Sequence, residues 1–413
     1  MFDSQLSFLI RRILFTIFAI LIYRIGIYIP LPYGSVLTEK MLSFFNMFNL
    51  FSGGTLSKGS IFSLNIMPYI VSSIVSQLFL SNSKNDDSSQ STSKNKFKIR
   101  LLTMCLAFLQ ASFLVFSSNI AFKIFSLPLI INLLTLVAGS LLLMWLGELI
   151  TLHGIGNGIS LIIFVGIVAE VPVVVMKNFK ALSASAITLE QFLFSLSIVV
   201  CLIFFIVFIE SSMRNIPVNY LKQKPGMKTL SGAKSYIPLR INTAGVIPPI
   251  FANAVLMFPL TILGFYHSKN TTISIITGLF APGKFLYELL YILLIVFFCF
   301  FYTFIVFDPD KAAATIKKSG GVVFGYRPGV DTSAFLRAVV GKLTVIGAFY
   351  IVVICMSTEI MRIANMPSFI IGGTSLLIVV GVVIDTIAQM QVYLFSGQYG
   401  KISKKTGLRR RGG

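Results

Sequence analysis

Four charged residues sit in or beside long apolar runs of this sequence: Arg24, Glu148, Glu170 and Asp385. Ionisable groups at membrane depth are costly and commonly serve proton relays or ion coupling. Only Arg24 lies well inside a run, and its long side chain can snorkel or pair. The other three fall near run ends, where interfacial or structural roles account for them. The two histidines, His153 and His267, lie in different loops. Cys105, Cys201, Cys299 and Cys355 have no CxxC spacing and no adjacent histidine pair, so they read as small buried hydrophobes. No Walker phosphate loop, dinucleotide fingerprint or HExxH helix occurs. The sequence therefore offers no catalytic constellation and no evident proton relay. Energy for any work is expected from a partner or an ion gradient.

The polar residues that do fall within the apolar runs are mostly uncharged: Asn65, Ser72, Ser73, Ser76, Gln77, Gln110, Asn253 and Thr374. Such groups can simply hydrogen-bond one helix to another, at about 0.6–2 kcal/mol each. They can equally form a wall held shut by weak polar contacts and able to open. Both readings stand at this level.

The elements that position these residues are membrane spans. Apolar residues make up 56% of the 413, charged residues 12%, and the mean hydropathy is +0.89. A soluble domain carries about twice that charge fraction. Ten apolar runs of about the ~20 residues needed to cross hydrocarbon are expected at 10–30, 61–80, 101–121, 129–149, 159–177, 190–209, 244–264, 286–306, 338–358 and 367–388. The 34 Lys and Arg sort by side. Two, Arg11 and Arg12, lie at the N-terminal end of the first run, five in 81–100, six each in 210–243 and 307–342, and six after the last span. The loop 149–158, on the same side, has none. Eight occupy the opposite loops. The positive-inside rule then predicts both termini in the cytoplasm, and His153 and His267 on opposite sides. The first run has Arg24 and Pro30 where a cleavage site needs small residues, so it is expected to be retained.

One stretch does not suit lipid. Residues 46–77, NMFNLFSGGTLSKGSIFSLNIMPYIVSSIVSQ, are apolar but broken by Ser52-Gly53-Gly54, Ser57-Lys58-Gly59-Ser60, Asn65 and Pro68. Freed backbone groups at membrane depth survive only inside protein or against a water-filled cavity. The segment predicts an internal cavity and marks part of its wall or stopper.

Residues 81–96 are polar and low in complexity and read as a flexible connector. Loops 210–243 and 307–337 differ. Pro225-Gly226, Gly320-Gly321 and Pro328-Gly329 punctuate dispersed basic residues, predicting ordered hairpins or loops that suit docking. The basic end of the chain suits lipid headgroups and topology. The expected organisation is an N-terminal five-helix half (1–177, with 50–60), a C-terminal half (178–388) and a basic tail (389–413). Five spans per half give the halves opposite topology, as in inverted repeats, though no residue-level self-similarity is visible.

Seven runs in order resemble the SecY protein-conducting channel family of bacteria. They are FNLFSGGTLSKGSIFSLNIMPYI (48–70), WLGELITLHGIGNGISLIIF (145–164), RNIPVNY (214–220), YIPLRINTAGVIPPIFA (236–252), FCFFYTFIVFDP (298–309), KKSGGVVFGYRPG (317–329) and FIIGGTSLLIVVGVVIDTIAQMQ (369–391). The resemblance implies an all-α polytopic membrane protein. Its ten helices form two pseudo-symmetric five-helix halves around a central pore with a plug. It would be a channel and not an enzyme, carrying unfolded secretory polypeptides across the membrane and releasing transmembrane segments sideways. No cofactor or metal is implied.

Residue by residue, the family's hydrophobic pore ring falls on Ile66, Ile70, Ile163, Ile250 and Ile378. A ring of aliphatic side chains is indifferent to passing sequence and, when narrow, dewets and blocks ions. The plug falls on about 50–60, with Phe51, Ser52, Gly53, Gly54, Thr55, Leu56 and Ser57. Gln77, Gln110 and Asn242 match polar positions of the lateral gate. Arg327, with Lys222, Lys224 and Lys228 on the neighbouring loop, matches the docking site for a motor or ribosome. Basic loops suit both ribosomal RNA phosphates and an acidic protein face. The implied partners are the SecE and SecG subunits, the SecA motor ATPase, the ribosome through RNA and protein, signal peptides and nascent chains, membrane lipids, SecDF and YidC. The implied location is the bacterial cytoplasmic membrane, with a plastid membrane as the alternative.

Two positions depart from the family pattern: Asn65 stands where a small residue is usual, and Phe324 where proline is usual. Two other classes compete, a ten-helix small-solute transporter and a non-conducting scaffold or insertase-like subunit. The ordered basic loops and uncharged interior argue against the first. The broken segment argues against the second.

Overall fold

A computed structural model of the chain describes residues 2–33, 58–81, 89–118, 127–185, 187–220, 234–253, 255–256, 284–363 and 372–405. It divides into two compact units, 1–180 with 378–413, and 181–377.

The first unit contains α1 (Phe2–Ile27), α2 (Met67–Ser81), α3 (Ser89–Ser118), α4 (Leu127–His153), most of α5 (Gly158–Ser183), and α10 (Gly373–Lys405) from Ile378 onward. Helix α3 packs against α2 and α4, and α1 against α4. Leu31 and Leu64 join Ala107, Ala111 and Leu114 of α3 and Leu133 and Leu136 of α4 in one buried cluster. Small alanines on α3 let the helices approach closely, which is what drives association where lipid is as apolar as leucine. Pro172 sits inside α5, as membrane helices tolerate when neighbours satisfy the freed backbone.

The second unit begins with α6 (Leu189–Glu210). A reciprocal capping box starts it: Gln191 N–H donates to Thr188 Oγ1, and Thr188 N–H to Gln191 Oε1, each at 3.3 Å. Strands β1 (Met213–Tyr220) and β2 (Lys234–Arg240) follow, then helical residues 247–253, α7 (Phe285–Val306), α8 (Pro309–Lys318), β3 (Gly321–Val323) and α9 (Val330–Ile363). The antiparallel sheet has the order β2-β1-β3. Central β1 carries Pro217, which cannot donate to a ladder. It escapes conflict because β3 pairs only with Val218, Asn219 and Tyr220. Ile216, Val218 and Leu239 of the sheet bury against Ala313 and Ile316 of α8 and Leu336, Val340 and Leu343 of α9. Asp308 caps α8, with Pro309 at its first turn and Lys317 and Lys318 at its last.

Helical residues occur in each of the ten expected spans, and six described helices are long and apolar enough to cross a membrane. On α6, Phe204 is 74% exposed and Phe208 65%, as suits a side chain facing lipid. Three ends differ from expectation. Helix α1 starts at Phe2, α10 runs on to Lys405, and α3 starts at Ser89, inside the run read as a flexible connector. Residues 82–88 of that run lie outside the described residues. Extending an existing helix fixes one residue per bond gained, so a nucleated span propagates into polar sequence. The described parts of the basic loops, 210–220, 234–243 and 307–337, are joined by that sheet.

Candidate pore-lining segment and docking loop

Residues 58–66 mix Ile61, Phe62, Leu64 and Ile66 with lysine, serine and asparagine and are not helical, and neighbours bind several of their backbone groups. Leu31 N–H donates to Gly59 C=O at 3.0 Å and Ile61 N–H to Ile29 C=O at 3.1 Å, around a Pro30–Ser60 bridge. Ser63 donates twice to Ser60 C=O, from N–H at 3.0 Å and from Oγ at 2.6 Å. Asn65 N–H reaches Phe62 C=O at 2.8 Å. The stretch is thus stitched to the end of α1, which answers the hydrogen-bond accounting that lipid could not. Phe62 lies under Gly26, where a Cβ would strike its ring, and its ring stacks on Tyr23 at 6.2 Å between centroids. Gly139 of α4 leaves room for the Ile61 carbonyl. Lys58 Nζ lies 4.5 Å from the centre of the Tyr28 ring, a cation–π contact.

Asn65 has a φ of +49°, and its Oδ1 accepts the N–H of Ile66 at 2.8 Å. Asparagine is among the few residues that adopt this left-handed conformation readily. The departure from a small residue therefore keeps the backbone that the entry to α2 needs. The expected plug residues Phe51, Ser52, Gly53, Gly54, Thr55, Leu56 and Ser57 lie outside the described residues.

Ile66 is 1% exposed. A Cβ on Gly147 of α4 would lie 3.4 Å from Ile66 Cδ1 and from Ile159 Cγ1, and 3.6 Å from Ile162 Cδ1. The start of α2, α4 and α5 thus converge at that glycine. Ile163 and Ile378 are buried and Ile70 is half-buried in the first unit; Ile250 is half-buried in the second.

The turn Gly154-Ile155-Gly156-Asn157 joins α4 to α5. Gly154 N–H donates to Ile150 C=O at 2.7 Å, Ile155 N–H to Thr16 Oγ1 at 3.1 Å, Gly156 N–H to Gln389 Oε1 at 3.0 Å, and Gly158 N–H to Thr151 Oγ1 at 3.0 Å. Arg12 donates to Gly154 C=O at 3.4 Å and to Tyr393 OH at 2.8 Å. Gly156 has a φ of +84°, and a Cβ on Gly158 would collide with the Gly147 carbonyl. The loop without a basic residue of its own is therefore served by Arg12 of α1. Sequence reading missed Arg12, Thr16, Gln389 and Tyr393. No local signal marks them, although GIGNG marks the turn they hold.

Of the expected gate residues, Gln110 lies on α3 with a buried Oε1 that has no hydrogen-bond partner. Asn242 is buried after β2. Gln77 lies on α2, and its side chain falls outside the described residues. Lys222, Lys224 and Lys228 also lie outside them.

The loop bearing Arg327 is held firmly. Tyr326 stacks on Phe335 at 4.3 Å between centroids, and Thr332 Oγ1 donates to Arg327 C=O at 2.8 Å. Gly325 and Gly329 take φ of +84° and +121°. Asp310 of α8 binds Arg337 of α9 at 3.2 Å and accepts a hydrogen bond from Ser333. Arg327 is exposed, beside Phe324 at 80% and Val330 at 85% exposure.

A SecY family model matches residues 60–387. The chain is 41% identical to the protein translocase subunit SecY of Rickettsia typhi, covering 97% of each. It is 40% identical to that of Escherichia coli K12, covering 97% of this chain and 95% of the relative. Among solved structures it resembles a protein-conducting channel with a TM-score of 0.70 at 17% identity, covering 97% of this chain and 95% of that one. Sec61 in a canine ribosome–channel complex from the endoplasmic reticulum matches with a TM-score of 0.67 at 18% identity over the same shares.

Proposed function

The chain belongs to the SecY family, and from that membership we propose that it is the central channel subunit of a Sec translocase. It conducts unfolded secretory polypeptides across the membrane and releases transmembrane segments sideways into lipid. One observation carries the reading. Residues 58–66 are non-helical and stitched into the protein by backbone bonds to residues 29–31, and they lead straight into α2 with Ile66 at its entry. That is how a stopper would be hinged to a pore-lining helix.

In this reading Ile66, Ile70, Ile163, Ile250 and Ile378 form the constriction, and 50–60 the plug. Gln77, Gln110 and Asn242 belong to the lateral gate. The buried, unpartnered Oε1 of Gln110 supports this, since an unsatisfied acceptor weakens a closed seam. Arg327 on its braced loop, with Lys222, Lys224 and Lys228, docks the SecA motor or the ribosome. SecE and SecG complete the channel, signal peptides and nascent chains are its cargo, and SecDF and YidC are accessory partners. In this reading both termini lie in the cytoplasm of a bacterial cell, with 389–413 as a basic tail, and the distribution of basic residues supports it.

The test is crosslinking to a stalled secretory chain in the membrane. Cysteines placed at Ile70 and at Ile250 both reach the chain if the constriction is as proposed. If neither does while substrates still cross, the pore lies elsewhere.

A further inference from the structure

The turn between α4 and α5 contains three glycines, an isoleucine and an asparagine over 154–158 and no charge. Its backbone groups are bound from two helices far away in sequence. Thr16 of α1 accepts from Ile155 N–H at 3.1 Å and donates its own hydroxyl proton to Arg12 C=O at 2.9 Å. Gln389 of α10 accepts from Gly156 N–H at 3.0 Å. Arg12 closes the ring, donating to Gly154 C=O and to Tyr393 OH, with its guanidinium 4.9 Å from the centre of the Tyr393 ring. Thr386 of α10 lies against Gly156.

We propose that Gln389, backed by Thr16, is a positioning residue that sets the closed register of α5 against α10. Gln389 and Ile378 share the continuous helix α10, and Gly156 leads within two residues into the helix that bears Ile163. A bond from the residue pair preceding α5 to the middle of α10 restricts their sliding, and so the spacing of Ile163 from Ile378. The consequence for sealing rests on reading those two isoleucines as part of the constriction. Without the acceptor, Gly156 keeps a donor with no fixed partner at a backbone position only glycine adopts freely, and α5 is free to slip.

The experiment uses the channel complex purified with its partner subunits and reconstituted in lipid vesicles. Gln389→Ala and Thr16→Val remove an acceptor. Gln389→Glu and Thr16→Ser keep one. Resting ion conductance should rise several-fold in the first pair and stay at the parental level in the second. Separately, spin labels at Ile163 and Ile378 report the spacing, which should shift or broaden in Gln389→Ala and in Thr16→Val. Unchanged spacing in both overturns the proposal, as does an equal rise in conductance for Gln389→Ala and Gln389→Glu. Altered spacing with unchanged conductance upholds the positioning role and instead overturns the seal assignment of the isoleucines.

Discussion

Asn242 donates from Nδ2 to Oε1 of Glu210 at 2.7 Å, and both side chains are buried. The bond ties the turn after β2 to the end of α6. Asn242 also brackets Gly245, donating to its C=O at 3.1 Å and accepting its N–H at 3.0 Å. Asn242→Ala should cost about 1.5–3 kcal/mol, the range for a hydrogen bond to a charged group. Asn242→Asp should cost more, because it sets a second carboxylate against Glu210. Thermal unfolding of the detergent-purified protein ranks the two.

Asn65 makes a cleaner backbone test. Its φ of +49° suits glycine or asparagine. Asn65→Gly keeps that backbone and loses side-chain bonds, those to Ile66 N–H and to Tyr23 among them, at about 0.5–1.5 kcal/mol each. Asn65→Val should be clearly worse, because a β-branched residue is a true outlier there. Equal melting temperatures for the two variants would show that the left-handed entry to α2 is not required.

Gly139 faces the Ile61 carbonyl, and an added Cβ would collide with backbone rather than with a side chain that can turn away. Gly139→Val should therefore displace residues 58–66. An overpacking cost of about 1–3 kcal/mol is expected, together with a raised resting ion leak in reconstituted vesicles. Destabilisation without any leak would separate this segment from sealing.

Arg327 is exposed on a loop whose carbonyl is held by Thr332. Arg327→Glu reverses a charge without touching that brace. Motor- or ribosome-driven translocation should fall by an order of magnitude or more while the channel inserts and assembles normally. Full export activity in this variant removes Arg327 from the docking surface.

Arg100 grips Glu148 at 2.5 Å through one nitrogen and at 3.4 Å through another. The Arg100 side chain is 52% exposed, so the pair should contribute only about 0–1 kcal/mol in a double-mutant cycle. Glu148 holds the Arg100 guanidinium above its ordinary range, through hydrogen bonding first and charge second. A raised basic group stabilises fully below its unfolded pKa and is lost only as pH rises through the folded value. Melting temperature should therefore show no step from Arg100 between about pH 6 and 9, well below the ordinary arginine range.

Much of the architecture was legible locally. Spans and the broken segment follow from how each residue is solvated and which φ it tolerates, and neighbouring residues decide both. Helix ends were less legible. Ser89 and Lys405 are helical because a span already formed beside them, not because their own stretch is apolar. The sheet between the basic loops was legible only as ordered hairpins, since β3 pairs with β1 from a distant part of the chain.

Composition and spacing by themselves determined that this chain crosses a membrane and that Ser60 to Asn65 has to be sheltered from lipid. They also left 149–158 as a short loop between two spans. Only the tertiary structure decided what shelters those residues and what holds that loop: Ile29 and Leu31 for the one, Arg12, Thr16 and Gln389 for the other. The reason is physical. Desolvation and backbone strain are set within a few residues, whereas a buried N–H takes whichever acceptor the packing brings near. Gly156 finds its acceptor on a helix 233 residues along the chain.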